Sequence, residues 1–121
     1  MRTARQVRGA EAEEAATSYV RGLGWRVVAR NVKVGQHDEI DIVAVDPGPP
    51  KECVCVEVRS ATSSGFGSPE ERIDRRKVAS LYRAMRGLMM DNVLPRRVDL
   101  LVVDRRGAQP QIRHLRRLEP A

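Results

Sequence analysis

Asp41 and Glu57 are the residues of this 121-residue chain whose types and spacing say most about chemistry. They lie in two apolar runs, EIDIVAVD at 39–46 and ECVCVEVR at 52–59, separated by Pro-Gly-Pro-Pro, a sequence that ends one strand and starts an antiparallel return. Side chains alternate along a strand, so Glu39, Asp41, Val43 and Val45 share one face of the first run, and Cys53, Cys55, Glu57 and Arg59 share one face of the second. Setting Val45 opposite Cys53 puts Asp41 opposite Glu57 and Glu39 opposite Arg59, with Cβ atoms roughly 4.5–5.5 Å apart. Carboxylates that close repel unless a proton or a cation stands between them. A solvated edge hairpin accounts for the same spacing. Against it, the shared face also carries Val43, Val45, Cys53 and Cys55, which places the charges at the rim of a buried face.

The elements that must position this pair follow from periodicity. Ala12, Ala15, Ala16, Tyr19, Val20 and Leu23 recur at helical spacing and predict a helix over 9–23, stopped by Gly22 and Gly24. Glu11, Glu13 and Glu14 then fall in its first turn, where the helix dipole alone explains them. Glu13 differs from the other two: at about 100° per residue it lies about 20° from Val20, at the border of the apolar stripe, and looks toward the hairpin acids. WRVVARNVKV at 25–34 reads as a strand, and RVDLLVVD at 97–104 as another. Between the hairpin and that last strand, SATSSGFGS at 60–68 reads as a loop beside the acids; SPEE has the form of a helix start and Asp74 is an equally good N-cap, for a main helix over 75–90 bearing Val78, Leu81, Tyr82, Met85, Leu88 and Met89, with room for an extra turn before it. Lys77 sits about 40° from Leu81, at the edge of that buried stripe. Residues 111–115 add a short edge strand. The order is αβββαββ, and both faces of the central hairpin want cover, from helix layers or from a second copy in a homodimer.

Length and composition predict one domain over residues 1–121. Only 3% of residues are aromatic, so the core must be built from Val, Leu, Ile and Ala. Cys53 and Cys55 alternate in one strand and read as buried core. No run approaches the ~20 apolar residues of a membrane span, and MRTARQVRG lacks the apolar stretch of a signal peptide, so the expectation is a cytoplasmic protein with no membrane partner. A net charge of +6 favours a polyanionic partner, nucleic acid first. Arginines crowd 2–8 and 105–117 while acids gather at 11–14 and in the hairpin, a basic periphery around an acidic centre.

These residues together resemble a known family. EID followed by VEVR resembles the D...ExK signature of PD-(D/E)XK nucleases, with Asp41, Glu57 and Arg59 in its three positions. AEEAATSYV, ARNVK, DEIDIVA, VCVEVR, FGSPEE and a helix containing Lys77 extend the likeness over nearly the whole chain to the YraN-like family of small bacterial proteins, grouped with Holliday junction resolvases. The resemblance implies a restriction-endonuclease-like α/β domain with a mixed sheet flanked by helices. It implies metal-dependent hydrolysis of nucleic-acid phosphodiesters, DNA before RNA, with branched DNA as one substrate. Glu13 matches the family's helix glutamate, Asp41 and Glu57 its metal-binding acids, Lys77 a lysine of the second helix and Glu39 the acid before the strand. All-oxygen ligands imply Mg²⁺ or Mn²⁺. Two departures stand out: Ala12 and Asp38 replace usual glycines, and Arg59 occupies the catalytic-lysine position. Arginine stays protonated and cannot be a general base, although it can grip a phosphate. Two other readings therefore remain open, a non-catalytic nucleic-acid binder of the same fold and an interaction subunit with a merely solvated acidic rim. A zinc site from Cys53, Cys55, His37 and His114 lacks the usual knuckle spacing.

Overall fold

The computed structural model describes residues 3–61, 73–87 and 94–120. The motif FGSPEE, most of the 60–68 loop, the predicted helix residues Leu88 and Met89, and the side chains of Arg5 and Arg8 lie outside the described residues. Seven elements follow in the expected order: α1 (Ala4–Gly22), β1 (Arg26–Val34), β2 (Asp38–Asp46), β3 (Glu52–Ser60), α2 (Arg75–Arg86), β4 (Arg96–Asp104) and β5 (Gln111–Leu115). The strands form one mixed sheet in sequence order, antiparallel except where α2 carries the chain over to make β3 and β4 parallel. That αβββαββ arrangement is restriction-endonuclease-like.

Each helix covers one face. Ala12, Ala16 and Val20 of α1 pack with Trp25 on Ile42, Ala44, Val54, Val56, Leu101 and Val103. On the other face Val78, Leu81, Ala84 and Met85 of α2 pack on Val43, Cys53, Cys55 and Val98. Both cysteines are buried and unbridged, as their alternation predicts. The hairpin register is also the expected one, with Val45 opposite Cys53 and Ile42 opposite Val56.

Two expectations are corrected. The helix begins at Ala4 instead of residue 9, because Thr3 and Gln6 form a reciprocal capping box: the Thr3 hydroxyl accepts the Gln6 N–H at 3.1 Å and the Gln6 side chain accepts the Thr3 N–H at 2.8 Å. No acid then lies in its first turn, so the dipole no longer explains Glu11, Glu13 and Glu14. Alternation along β2 is broken too. Ile42 packs under α1, yet Ile40, two residues earlier, packs with the α2 cluster. Opposite the switch, on the neighbouring strand, Asn31 has a left-handed φ of 52° and the β1–β2 ladder passes from Arg30–Ile42 to Val32–Ile40 without pairing Asn31 and Asp41.

Candidate active site

Asp41 sits where the hairpin opens. The paired ladder stops at Ile42–Val56, and the Asp41 Oδ2 accepts the Val58 N–H at 2.8 Å, substituting a side chain for the next backbone rung. The carboxylate therefore lies close to the plane of the sheet, reachable from both helix layers. Glu57 lies across the hairpin, near enough that each carboxyl acts on the charge of its neighbours at this opening, Asp41 raising the Glu57 carboxyl. From the α1 layer, Glu13 faces the same opening: Glu13 and Asp41 line a cavity of about 200 Å³ together with Asn31, Glu39 and Ser60. From the α2 layer comes the positive charge of half-buried Lys77, which acts on Asp41 and on Glu57 alike. The structure thus brings the five expected residues to one end of the sheet.

They are not equally close. The Glu13 Oε1 accepts Asn31 Nδ2 at 2.8 Å and Arg30 Nε at 3.2 Å, so that carboxylate is drawn to β1, and Glu57 is not part of the cavity lining. Among the described residues no three His, Cys, Asp or Glu side chains stand close enough to hold a metal ion as they are. Arg59 is half-buried beside Glu57, and among the described residues its buried Nε has no hydrogen-bond partner. A buried donor left unmade costs about 1–3 kcal/mol, so this N–H is able to take an acceptor.

Electrostatics single out the hairpin pair. Burial pushes the Asp41 carboxyl up to about 6; the Val58 N–H opposes this, Glu13 and Glu39 add to it, and Lys77 offsets part. Burial also pushes Glu57 up to about 7, helped by Asp41 and resisted by Lys77 and Arg59. Burial and mutual repulsion thus favour the protonated form of both acids, and their hard oxygens are of the kind that suits Mg²⁺ or Mn²⁺.

A second polar cluster escaped the sequence reading. At the turn end of the hairpin, Arg97 is 2% exposed and donates to Asp46 at 2.9 Å, to Glu52 at 2.9 Å and, through two nitrogens, to Asp99. Asp99 also meets His114 Nε2 at 2.7 Å, whose Nδ1 lies 3.0 Å from the Tyr19 hydroxyl. Several arginines counted toward a basic periphery have internal partners: Arg117 binds Glu52, Arg106 binds Asp104, Arg105 binds Glu11, and Arg116 lies against the Trp25 ring. Arg105 and Glu11 are 94 residues apart in the chain, and no local pattern announces such a pair.

A mixed sheet covered by one helix on each face, with acids gathered where its central hairpin opens, defines a small α/β protein of the restriction-endonuclease-like kind. Residues 12–103 match Uncharacterised protein family UPF0102, and the chain belongs to that family. It is 36% identical to the UPF0102 protein of Arthrobacter sp. (strain FB24) over 93% of this chain and 96% of that protein. The UPF0102 protein of Thermotoga maritima is 41% identical over 80% of this chain and 86% of its own length. That of Persephonella marina is 43% identical over 64% of this chain and 63% of its own length. This is the YraN-like family that the residue pattern resembles. No helix among the described residues is long and apolar enough to cross a membrane.

Proposed function

We propose that this protein is a Mg²⁺- or Mn²⁺-dependent nuclease that hydrolyses phosphodiester bonds of nucleic acid, DNA before RNA. The observation that carries this reading is the half-buried Asp41–Glu57 pair, two acids brought together across the hairpin with raised pKa values beside an arginine whose Nε lacks a partner among the described residues. A divalent cation held by Asp41 and Glu57 supplies Lewis acidity toward a phosphoryl oxygen and lowers the pKa of water. Arg59 offers its Nε and planar fork to a non-bridging phosphate oxygen and offsets the charge that grows there. Glu13, steadied by Asn31 and Arg30, faces the cavity as an acceptor that can orient the attacking water. Lys77 supplies a compact ammonium from the α2 side, the charge type that Arg59 does not provide.

Arg59 itself favours a second reading, a binder that grips phosphate without turnover. One experiment separates them: labelled linear, flapped and four-way-junction DNA, with RNA counterparts, incubated with Mg²⁺, Mn²⁺ or EDTA. The nuclease reading expects metal-dependent products that vanish in Asp41→Ala and increase in Arg59→Lys. Tight metal and nucleic-acid binding without products from either parent or Arg59→Lys establishes the binder instead.

A further inference from the structure

The ARN segment of β1 belongs to the family pattern, yet the reading above gives it only a supporting place. Asn31 has three properties that a strand residue seldom combines. Its φ of 52° puts a side-chain-bearing residue in the left-handed region in mid-strand, a conformation uncommon outside turns even for asparagine. Its position in the ladder, paired with nothing and flanked by Arg30–Ile42 and Val32–Ile40, is opposite the point where β2 switches faces. Its amide is spent on the α1 layer, Nδ2 to Glu13 Oε1 at 2.8 Å. Asn31 and Glu13 line both the Asp41 cavity and an open groove of about 920 Å³ that continues it along α1.

The register is unchanged across Asn31, the shift in this ladder falling between Val27 and Ala29, and a local irregularity kept only for sheet twist explains the φ and the missed rung. It does not explain why the side chain reaches across to an acid of the site. We propose that Asn31 is a positioning residue of the nuclease centre: its left-handed backbone turns Asp41 out of strand alternation into the plane of the sheet, and its amide holds the Glu13 carboxylate at the same opening. The in-plane placement is what lets one carboxylate meet Glu13 from the α1 layer and Glu57 with Lys77 from the α2 layer. The inference rests on the nuclease reading.

The test separates backbone from amide. Asn31→Gly keeps the left-handed conformation and deletes the amide, whereas Asn31→Ala deletes the amide and keeps a Cβ in the left-handed region without the polar side chain that lets asparagine tolerate it. Cleavage kinetics, Mn²⁺ calorimetry and melting temperature are measured for the parent, both variants, Glu13→Ala and the Glu13→Ala/Asn31→Gly double variant. Asn31→Gly is expected to melt within roughly 2 °C of the parent and to lose about tenfold or more in kcat with KM within about threefold. Asn31→Ala is expected to weaken Mn²⁺ binding about tenfold as well, because Asp41 relaxes toward regular alternation. The double variant is expected to be no slower than Glu13→Ala alone. An active parent with an unchanged Asn31→Gly, a loss of kcat only in step with melting temperature, or fully additive losses in the double variant overturns the inference alone. A parent that neither cleaves nor binds Mn²⁺ overturns the nuclease reading and this inference together.

Discussion

The β2–β3 hairpin has acids drawn out of water at both ends, and the two ends solve the same electrostatic problem in opposite ways. At the turn end buried Glu52 and Asp99 and half-buried Asp46 surround Arg97, with Arg117 and His114 completing the set. Burial alone would raise Asp99, but hydrogen bonds from His114, Arg97 and the Arg117 N–H reverse it and hold the carboxyl below its usual range. Hydrogen bonds from Arg117 and Arg97 likewise hold Glu52 down. Five residues along the strands, about 17 Å at ~3.3 Å per residue, Asp41 and Glu57 meet each other with only Lys77 and Arg59 to offset them, and both carboxyls rise. Acids with matched cations hold the fold together. Acids without them cost stability that a bound ligand can return, which is the mark of a working site.

The largest way to break this comparison is to remove the central cation. Arg97→Met removes the cation shared by Asp46, Glu52 and Asp99, leaving Glu52 to Arg117 and Asp99 to His114, and is expected to cost about 3–5 kcal/mol, lowering the melting temperature by roughly 10–20 °C. Calorimetry showing a loss of a degree or two makes the network ornamental.

The opposite sign is expected at the other end. Asp41 and Glu57 have folded pKa values above their unfolded ones, so between about pH 4 and pH 7 the folded protein holds protons that the unfolded chain releases, and stability falls as pH rises through that window. Asp41→Asn is therefore expected to stabilise the metal-free protein by roughly 1–3 kcal/mol at pH 8 and by little at pH 4, since each pKa unit is worth about 1.4 kcal/mol. Mn²⁺ at about a hundred times its Kd should return a similar amount, ~2.7 kcal/mol, to the parent and little to Asp41→Asn. Thermal melts across pH, with and without Mn²⁺, check both. A parent more stable at pH 8 than at pH 5 without metal contradicts the assignment of the pair. The acids around Arg97 have lowered pKa values and act conversely, contributing stability that is lost as the medium becomes acid.

Smaller effects sharpen the contrast. Tyr19→Phe deletes the phenol from the His114 Nδ1 and is expected to cost about 1 kcal/mol in urea denaturation, without altering cleavage. Thr3→Ala removes the helix cap at an exposed end and is expected to cost about 0.5–1 kcal/mol. A cleavage defect in Tyr19→Phe as large as that of Asp41→Ala assigns chemistry to the structural end.

Periodicity made the strand order, the Val45–Cys53 register and the Asp74 cap of α2 legible, because each depends on neighbours in sequence. Asp41 and Glu57 were legible for the same reason, being joined by one short turn. The early start of α1 was written in Thr3-x-x-Gln6 and was missed because the apolar stripe begins only at Ala12. The switch of faces at Asn31 and the buried role of Arg97 were not legible. A left-handed asparagine has no periodic signature, and arginine in an apolar run looks like a strand end until its acids, up to 51 residues away, are placed around it.

The segment after β5 has a consequence for how the protein is made. Arg117 N–H donates to Asp99 Oδ1, the Arg117 guanidinium reaches Glu52, and Leu118 donates to the Val98 carbonyl while accepting from Tyr82 of α2. A nascent chain that has emerged through Asp104 holds both helices and four strands, but its Asp99 waits for His114 and its Glu52 for Arg117. Until then the growing polypeptide presents a half-neutralised acidic seam and an unpaired β4 edge, both of which close only when β5 and the residues after it arrive.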